Sequence, residues 1–263
     1  MEPIAEPRDR FNLRKALLRV ERDIKALEEQ DIHTLDQSVL TRCRVRALPL
    51  SLDAGDSLAP KFFTSFAPSD MPEPTPEFVD REYNTDELTL SSERGRLIYL
   101  YLKSYVSEMI VDFPEVHRTW SSKQIGNYNI RNLYRTLEPE YGTLSILHVA
   151  KASKPHVKCI MHNDLDVDDN HLLCGEVLTV IRIMLDQLKQ KMFVNDMIAP
   201  VLLLSLNQRH PRVMEAYFDG QELLIRRTKS YDFRFLNIAG FKTFTQWFLG
   251  NPIGITSREA IRT

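Results

Sequence analysis

The clearest pattern of apolar and polar positions lies in the C-terminal half of the chain. Seven apolar residues at helical spacing predict a helix from about Leu172 to Phe193. Their positions are Leu173, Val177, Val180, Ile181, Met184, Leu188 and Met192. The continuous apolar run Val201–Leu206 follows, and it is typical of a strand that is buried on both faces.

Two more β-prone segments, Arg212–Phe218 and Gln221–Arg227, flank the dipeptide Asp219-Gly220. Asp and Gly tolerate the positive φ of a tight turn, so this dipeptide favours a hairpin between antiparallel strands. We therefore predict a C-terminal β-meander with the preceding helix packed on one of its faces.

The N-terminal region carries an amphipathic pattern. Leu13, Leu17, Val20, Ile24 and Leu27 repeat at spacings of four, three, four and three, which predicts a helix from about Arg8 to Gln30. Two heptads are too few for an independent coiled coil, so this apolar seam must pack on another surface. The pattern leaves two alternatives open, which are packing on the same chain and association with a protein partner or a second copy.

Prolines are concentrated between the N-terminal region and the rest of the chain. They stand at Pro49, Pro60, Pro68, Pro72, Pro74 and Pro76, and they favour an extended arm. We predict three segments: an N-terminal helix with its extension (residues 1–47), a Pro-rich linker or arm (48–87) and a globular domain (88–263).

The remaining pattern completes an α+β fold. A helix is predicted from Ser91 to Phe113, a shorter one from Tyr128 to Leu137, and a closing helix around Phe241–Phe248. Thr143–Val149 and His156–Met161 are predicted to form a strand pair. The fold class that we predict is α+β, with long helices packed on a small antiparallel sheet.

Composition narrows the class of protein. The chain has 263 residues, 43% of them hydrophobic, which argues against wholesale disorder. A net charge of −2 argues against a dedicated nucleic-acid-binding protein. Three cysteines without a C-x-x-C pair fit a reducing compartment. No apolar run reaches the roughly 18 to 20 residues that span a bilayer, so we predict no membrane partner and a cytoplasmic location, with the nucleus left open.

The sharpest polar cluster is the acidic segment from His162 to His171. Its residues Asp164, Asp166 and Asp168 alternate like the first three oxygen ligands of a calcium-binding loop. The sixth position of that loop requires Gly and the twelfth a carboxylate, whereas this chain has Asp169 and Gly175 there. Two interpretations stay open, which are a metal site and a solvated loop that caps the next helix.

A second polar set follows the buried strand. Arg209, His210 and Arg212 are candidates for binding a carboxylate or a phosphate, and together with Glu215 they form the candidate ligand-binding set at the edge of the sheet. The alternatives are an ordinary polar turn and a structural ion pair between Glu215 and Arg226. Short phosphate-binding, nucleophile-elbow and zinc-protease motifs are absent from the chain, and the sequence identifies no cofactor.

The order of helix, buried strand, Asp-Gly hairpin and closing helix resembles the core of restriction-endonuclease-like nucleases. That family needs a metal-binding Asp and a Glu-x-Lys motif on adjacent strands. The equivalent hairpin here reads Glu215-Ala-Tyr217, and no Glu-x-Lys occurs in the chain. The resemblance therefore implies a catalytically degenerate nuclease-like protein.

A second resemblance covers about the last hundred residues. The segments 175–178, 199–205, 211–220 and 223–226 resemble uncharacterised proteins that are widespread in filamentous fungi. This resemblance implies a fungal origin and an association with specialised metabolism, and it assigns no functional residue.

Two classes of function follow from the sequence. The apolar seam of the predicted N-terminal helix, the Pro-rich arm and the absence of short catalytic motifs favour an intracellular accessory or interaction protein. The polar set Arg209, His210, Arg212 and Glu215 favours instead a small-molecule-binding protein or enzyme with a pocket at the sheet edge. Whether the protein is an enzyme is left undecided at this stage.

Overall fold

A computed structural model describes residues 6–53, 55–67, 71–80, 82–112, 119–122, 130 and 132–261. The helices are α1 (Arg8–Glu29), α2 (Gln37–Arg42), α3 (Pro76–Val79), α4 (Ser91–Asp112), α5 (Cys174–Lys189) and α6 (Ile238–Leu249). Strands β1 to β5 are Thr34–Leu35, Val45–Pro49, Trp120–Ser122, Tyr134–Arg135 and Tyr141–Val149. Strands β6 to β10 are Val157–Asn163, Leu172–Leu173, Val201–Asn207, Arg212–Phe218 and Leu223–Arg227.

The fold is built on one mixed sheet of eight strands. Seven follow the order β2-β10-β9-β8-β6-β5-β3, and β4 also pairs with β5. Mixed helices and sheet confirm the coarse α+β prediction. The prediction of a small antiparallel sheet is wrong, because β6 pairs with β8 in parallel and β10 pairs with β2 in parallel. The β6–β8 connection contains α5, which is long enough for a parallel crossover.

The C-terminal strands form the regular part of this sheet. Strand β9 pairs antiparallel with both β8 and β10. Gly220, between β9 and β10, has a φ of +100°, a conformation that suits a residue without a Cβ. Helix α5 packs on one face of the sheet together with α1, while α4 and α6 cover the other face.

The apolar seam of α1 packs on the same chain. Leu17 and Ile24 are fully buried in the core that α5 and the sheet share. At the margin of this contact, Arg182 on α5 donates to Glu21 on α1 at 3.1 Å. The seam is therefore covered by α5 within one chain.

The Pro-rich segment also contacts the sheet. The Leu50 amide donates to the Arg227 carbonyl at 2.8 Å, and Phe63 and Phe78 are buried in the core on the α4–α6 side. Strand β2, whose residues straddle the predicted boundary at position 47, is a member of the main sheet. The division into 1–47, 48–87 and 88–263 stays a prediction, and the described parts of all three segments contact one another.

The described part of the helix predicted from Tyr128 to Leu137 is not helical. Tyr134 and Arg135 are a short strand that pairs with Tyr141 and Gly142, and the chain bends from residue 137 to 139. Pro139 cannot continue a helix, and pairing with β5 satisfies the backbone instead. Residues 123–129 and 131 lie outside the described part, as does the end of the helix predicted at Phe113. No described helix combines the length and the apolar character that a membrane crossing requires.

A buried lysine attaches α6 to the sheet. Lys158 on β6 is fully buried, and its ammonium donates to the carbonyls of Trp247, Phe248 and Gly250 at 2.8, 3.0 and 2.5 Å. The last carbonyls of a helix lack partners within the helix and lie at the negative end of its dipole. Lys158 thus satisfies three of these groups at once, while the Trp120 ring lies 4.3 Å from its ammonium.

We expect Lys158→Met to lower the free energy of unfolding by about 2 to 4 kcal/mol, because it leaves buried carbonyls at the end of α6 without donors. Urea unfolding followed by circular dichroism measures this change. Lys154→Met is the matched control, since Lys154 is exposed and donates only to Pro252. Equal losses in the two variants would show that the three carbonyl contacts do not stabilise the fold.

Candidate functional site

A cleft of about 1050 Å³ lies where β5 begins and β6 ends. Its wall combines the segment after α1, the start of α4, the segment before β5 and the residues after β6. The lining residues are Asp31, Ile32, His33, Thr34, Thr89, Leu90, Ser91, Ser92, Thr136, Glu138, Pro139, Glu140, Asp164 and Leu165.

The antiparallel pairing of β5 and β6 brings two carboxylates into this cleft. Tyr141 at the start of β5 pairs with Asn163 at the end of β6. Glu140, just before β5, therefore lies beside Asp164, just after β6. The Asp164 amide donates to the Glu140 carbonyl at 2.9 Å, and the Glu140 amide donates to the Asp164 carboxylate at 3.0 Å. These reciprocal bonds hold the two residues side by side.

The Asp164 carboxylate is only half satisfied. Its Oδ1 atom is buried and has no hydrogen-bond partner among the described residues. Burial raises the pKa of Asp164, and the neighbouring carboxylates Glu140 and Glu138 raise it further. A carboxylate oxygen with these surroundings favours a ligand that brings a donor or a positive charge.

His162 lies behind the two carboxylates. Its side chain is fully buried, and neither ring nitrogen has a hydrogen-bond partner in the described structure. The distance from Nε2 to Oε1 of Glu140 is 3.6 Å, which is too long for a hydrogen bond. Burial lowers the pKa of His162 to about 4, with a smaller contribution from Arg96. The imidazole is therefore neutral at pH 7.

Three side chains cover His162 from the outside. Arg96 donates to Glu140 at 2.8 Å and to the Tyr134 hydroxyl at 2.9 Å, and that hydroxyl donates to Glu140. The Tyr134 ring lies 5.8 Å from the His162 ring, between centroids. A Cβ on Gly142 would come within 2.0 Å of the Tyr134 ring, so only glycine permits this packing.

The charge of the cleft is negative. Four carboxylates line it, from Asp31, Glu138, Glu140 and Asp164, and no lysine or arginine is among the described residues of the lining. The nearby Arg96 is already bound to Glu140. This arrangement favours cations and hydrogen-bond donors over anions.

The three predicted metal ligands have separate partners. Asp164 lies in the cleft, Asp166 binds His210 at 2.7 Å, and Asp168 binds His171 at 2.6 Å. Within the described ranges, no group of three or more His, Cys, Asp or Glu side chains has an arrangement that could hold a metal ion. The structure therefore does not bring Asp164, Asp166 and Asp168 together.

The four predicted ligand-binding residues also lie apart. Arg209 pairs with Asp86 at 2.8 Å, and His210 pairs with Asp166. Arg212 and Glu215 are both fully buried, and they are three residues apart on β9, so their side chains lie on opposite faces. The structure does not form one clamp from these residues.

Each of the two buried residues has a structural partner. Arg212 makes a bidentate pair with Glu176, through Nε to Oε1 at 3.0 Å and Nη2 to Oε2 at 2.5 Å. Burial opposes ionisation of Glu176, yet Arg212 lowers its pKa below the ordinary value. Glu215 accepts from the amides of Lys61 and Phe62 at 3.0 and 2.7 Å and pairs with Arg226 at 3.3 Å, the ion pair considered above as an alternative.

Sequence reasoning missed Glu140, Arg96 and Tyr134. His162 entered it only as the first residue of the acidic segment, and Asp164 only as a candidate metal ligand. One signal was available, since His162-Asn163-Asp164 ends an apolar strand just as Asn207 ends the next one. No local pattern places Arg96 or Tyr134 beside that strand end.

Comparisons of the chain with models of protein families, with curated proteins and with solved structures return no significant match. The function is therefore argued from the geometry of the chain alone.

We expect Arg212→Met to lower the free energy of unfolding by about 3 to 5 kcal/mol, because it leaves the buried Glu176 carboxylate without its counterion. The double variant Arg212→Met/Glu176→Leu should lose less, since it contains no uncompensated charge. Urea unfolding of the three proteins measures the difference. Arg234→Met is the control, because the pair of Arg234 with Asp232 is exposed and its loss should cost about 0.5 kcal/mol or less.

The neutral, buried histidines predict a loss of stability in acid. The pKa of His162 and that of His156 are both lowered to about 4, so between about 6.5 and 4 the unfolded chain binds more protons than the folded chain. Stability should fall as the pH is lowered through this range, by at most about 3 kcal/mol for each histidine. His162→Gln and His156→Gln should each remove about half of this loss in urea unfolding between pH 7 and pH 4. An undiminished loss in His162→Gln would contradict the burial of a neutral ring.

Proposed function

We propose that the protein binds a small organic cation, such as a primary amine or a polyamine, in the cleft at the ends of β5 and β6. The observation that carries this proposal is the buried, partnerless Oδ1 of Asp164 in a cleft that carboxylates line and basic side chains do not. This is the small-molecule-binding class of function, located at the strand ends of β5 and β6.

The chemistry of the lining suits an ammonium group. An ammonium has three donors and no acceptor, while ionised carboxylates only accept. Asp164 and Glu140 supply these acceptors at adjacent strand ends. Hydroxyl groups on the wall, from Thr34, Thr89, Ser91, Ser92 and Thr136, supply further acceptors. A low-dielectric site strengthens such charge-assisted hydrogen bonds.

The proposal is one of binding and assigns no covalent chemistry. Cys159 and Cys174 are buried, and burial raises the pKa of each thiol to about 12. At neutral pH these thiols are protonated and make poor nucleophiles. His162 is neutral but enclosed by Tyr134 and Glu140.

A second candidate is a catalytically degenerate nuclease-like protein. The observation that favours it is the pair of carboxylates on neighbouring strands, Glu140 before β5 and Asp164 after β6. No lysine lines this cleft, and the ammonium of Lys158 on β6 is bound to carbonyls at the end of α6. We accordingly expect no DNA cleavage with Mg²⁺, Mn²⁺ or Ca²⁺.

The accessory or interaction function also remains a prediction, together with the fungal origin, the link to specialised metabolism and the cytoplasmic location. The interaction function was predicted from the apolar seam of α1, and in the described structure α5 covers this seam. A partner would have to use another surface or displace α1.

Isothermal titration calorimetry with putrescine, spermidine and tyramine tests the amine proposal. We expect saturable binding that weakens with salt, because the attraction is between charges. Glu140→Gln and Asp164→Asn should each weaken binding about tenfold, which corresponds to about 1.4 kcal/mol. Asp232→Asn is the matched control, since Asp232 is an exposed carboxylate outside the cleft.

Control ligands and a DNA-cleavage assay distinguish the amine proposal from the nuclease-like candidate. Acetate, inorganic phosphate and glucose should not bind in this cleft. Absence of amine binding at about 5 mM would make the proposal wrong, as would equal affinity of the two cleft variants and the wild type. Cleavage of duplex or single-stranded DNA with a divalent metal, abolished by Asp164→Asn, would instead show an active nuclease and contradict the prediction that the nuclease-like core is degenerate.

A further inference from the structure

A second cleft, of about 800 Å³, lies at the ends of the parallel strands β2 and β10. Arg227 is the last residue of β10 and pairs with Pro49 at the end of β2. The cleft is bounded by these strand ends, by the segment that follows β2 and by residues 228–231. None of its lining residues belongs to the carboxylate cleft at β5 and β6.

Arg227 stands out because its guanidinium makes no direct contact with a carboxylate. In the described part of the chain, no hydrogen bond or ion pair reaches the Arg227 side chain, and its Nε is buried without a partner. The neighbouring arginines on the sheet differ, since Arg226 binds Glu215 and Arg212 binds Glu176. Burial and the nearby Arg212 lower the pKa of Arg227, and the carboxylates of Glu176, Asp169 and Asp168 offset only part of this from beyond ion-pair distance.

A partly buried cation without a directly bound carboxylate favours a bound anion. Desolvation costs free energy, and an anion paired with the guanidinium recovers part of it. Lys229 adds a second basic side chain to the cleft wall, and it is exposed. Asp53 and Asp169 also line the cleft, so the local charge suits a monoanion better than a dianion such as phosphate.

One part of the wall is apolar, and it is formed by Ala47, Leu48, Pro49, Leu50, Leu52 and Leu58. The remaining lining residues are uncharged polar residues and a tyrosine, namely Gln37, Ser51, Asn170, Thr228, Ser230 and Tyr231. A ligand that fills the cleft therefore needs an apolar body as well as one negative charge. The planar guanidinium of arginine matches the two oxygens of a carboxylate in a bidentate pair.

We propose that this cleft binds a small carboxylic acid with an apolar body, and that Arg227 pairs with its carboxylate. The site is independent of the amine cleft, and it adds a ligand of opposite charge. Its failure would leave the amine proposal untouched, because the two tests use different ligands and different variants.

Phenylacetate and octanoate, titrated by calorimetry against the full chain, are the probes. We expect both to bind more tightly than acetate, which lacks the apolar body, and more tightly than inorganic phosphate. Arg227→Gln should weaken binding at least tenfold, and Lys229→Gln about threefold or less, since Lys229 is exposed. Arg234→Gln, which removes an exposed arginine outside the cleft, should leave binding unchanged.

A second measurement does not depend on the choice of probe. Without ligand, Arg227→Gln should melt close to the wild-type temperature, because it removes no hydrogen bond or ion pair of the described residues. The octanoate-induced rise in melting temperature should disappear in this variant. The proposal is overturned if Arg227→Gln binds the acids as well as the wild type, if phosphate binds at least as tightly, or if none of the acids binds at about 5 mM.

Discussion

The buried pair of Arg212 and Glu176 is the interaction on which the arrangement of sheet, helix and loop depends. Both side chains are fully buried, and they join β9 to the first turn of α5. Glu176 also accepts from the Leu173 amide and from Asn207 at the end of β8. Arg212 donates to the His171 carbonyl at 3.0 Å, which attaches the acidic loop to the same point. Both oxygens of Glu176 accept hydrogen bonds from these donors, and the carboxylate makes no direct ion pair with Arg227 on the neighbouring strand, although it acts on that guanidinium electrostatically.

Most buried charges in this fold are compensated in the same way. Lys158 binds three carbonyls at the end of α6, and Glu215 binds two amides and Arg226. Buried polar groups normally have partners, so those that lack them single out places where a ligand can bind. The Asp164 carboxylate and the Arg227 guanidinium are such exceptions, and both border clefts. Other buried polar atoms of the described residues also lack partners, among them Nη2 of Arg10 and Nε of Arg209, so the two proposals rest on the clefts as well as on the unsatisfied groups.

Local patterns of the sequence predicted the elements but not their long-range pairing. The spacing of Leu13, Leu17 and Ile24 correctly predicts α1, and the apolar run Val201–Leu206 corresponds to β8. Nothing in either pattern shows that β6 lies between β5 and β8, because strand order is set by contacts between distant residues. The same limit applies to the contacts of the candidate site residues, because these contacts also join residues that are distant in the sequence. Arg212 and Glu215 are polar residues on a predicted strand, which suggested a pocket. Hairpin pairing allowed Arg226 to be considered as the partner of Glu215, whereas Glu176, the partner of Arg212, becomes visible only once the helix is packed on the sheet.

The raised pKa of Asp164 gives the carboxylate cleft a further property. Burial and the carboxylates of Glu140 and Glu138 disfavour the ionised form of Asp164 when no ligand is bound. A bound ammonium would favour that ionised form, so binding would release a proton wherever Asp164 is partly protonated. The affinity for an amine should then increase as the pH rises through the pKa of Asp164, provided that the amine itself stays protonated. His162 adds no competing positive charge over this range above its own pKa of about 4. The cleft therefore becomes more negative, and more receptive to a cation, as Asp164 loses its proton, while the neutral His162 adds no opposing positive charge.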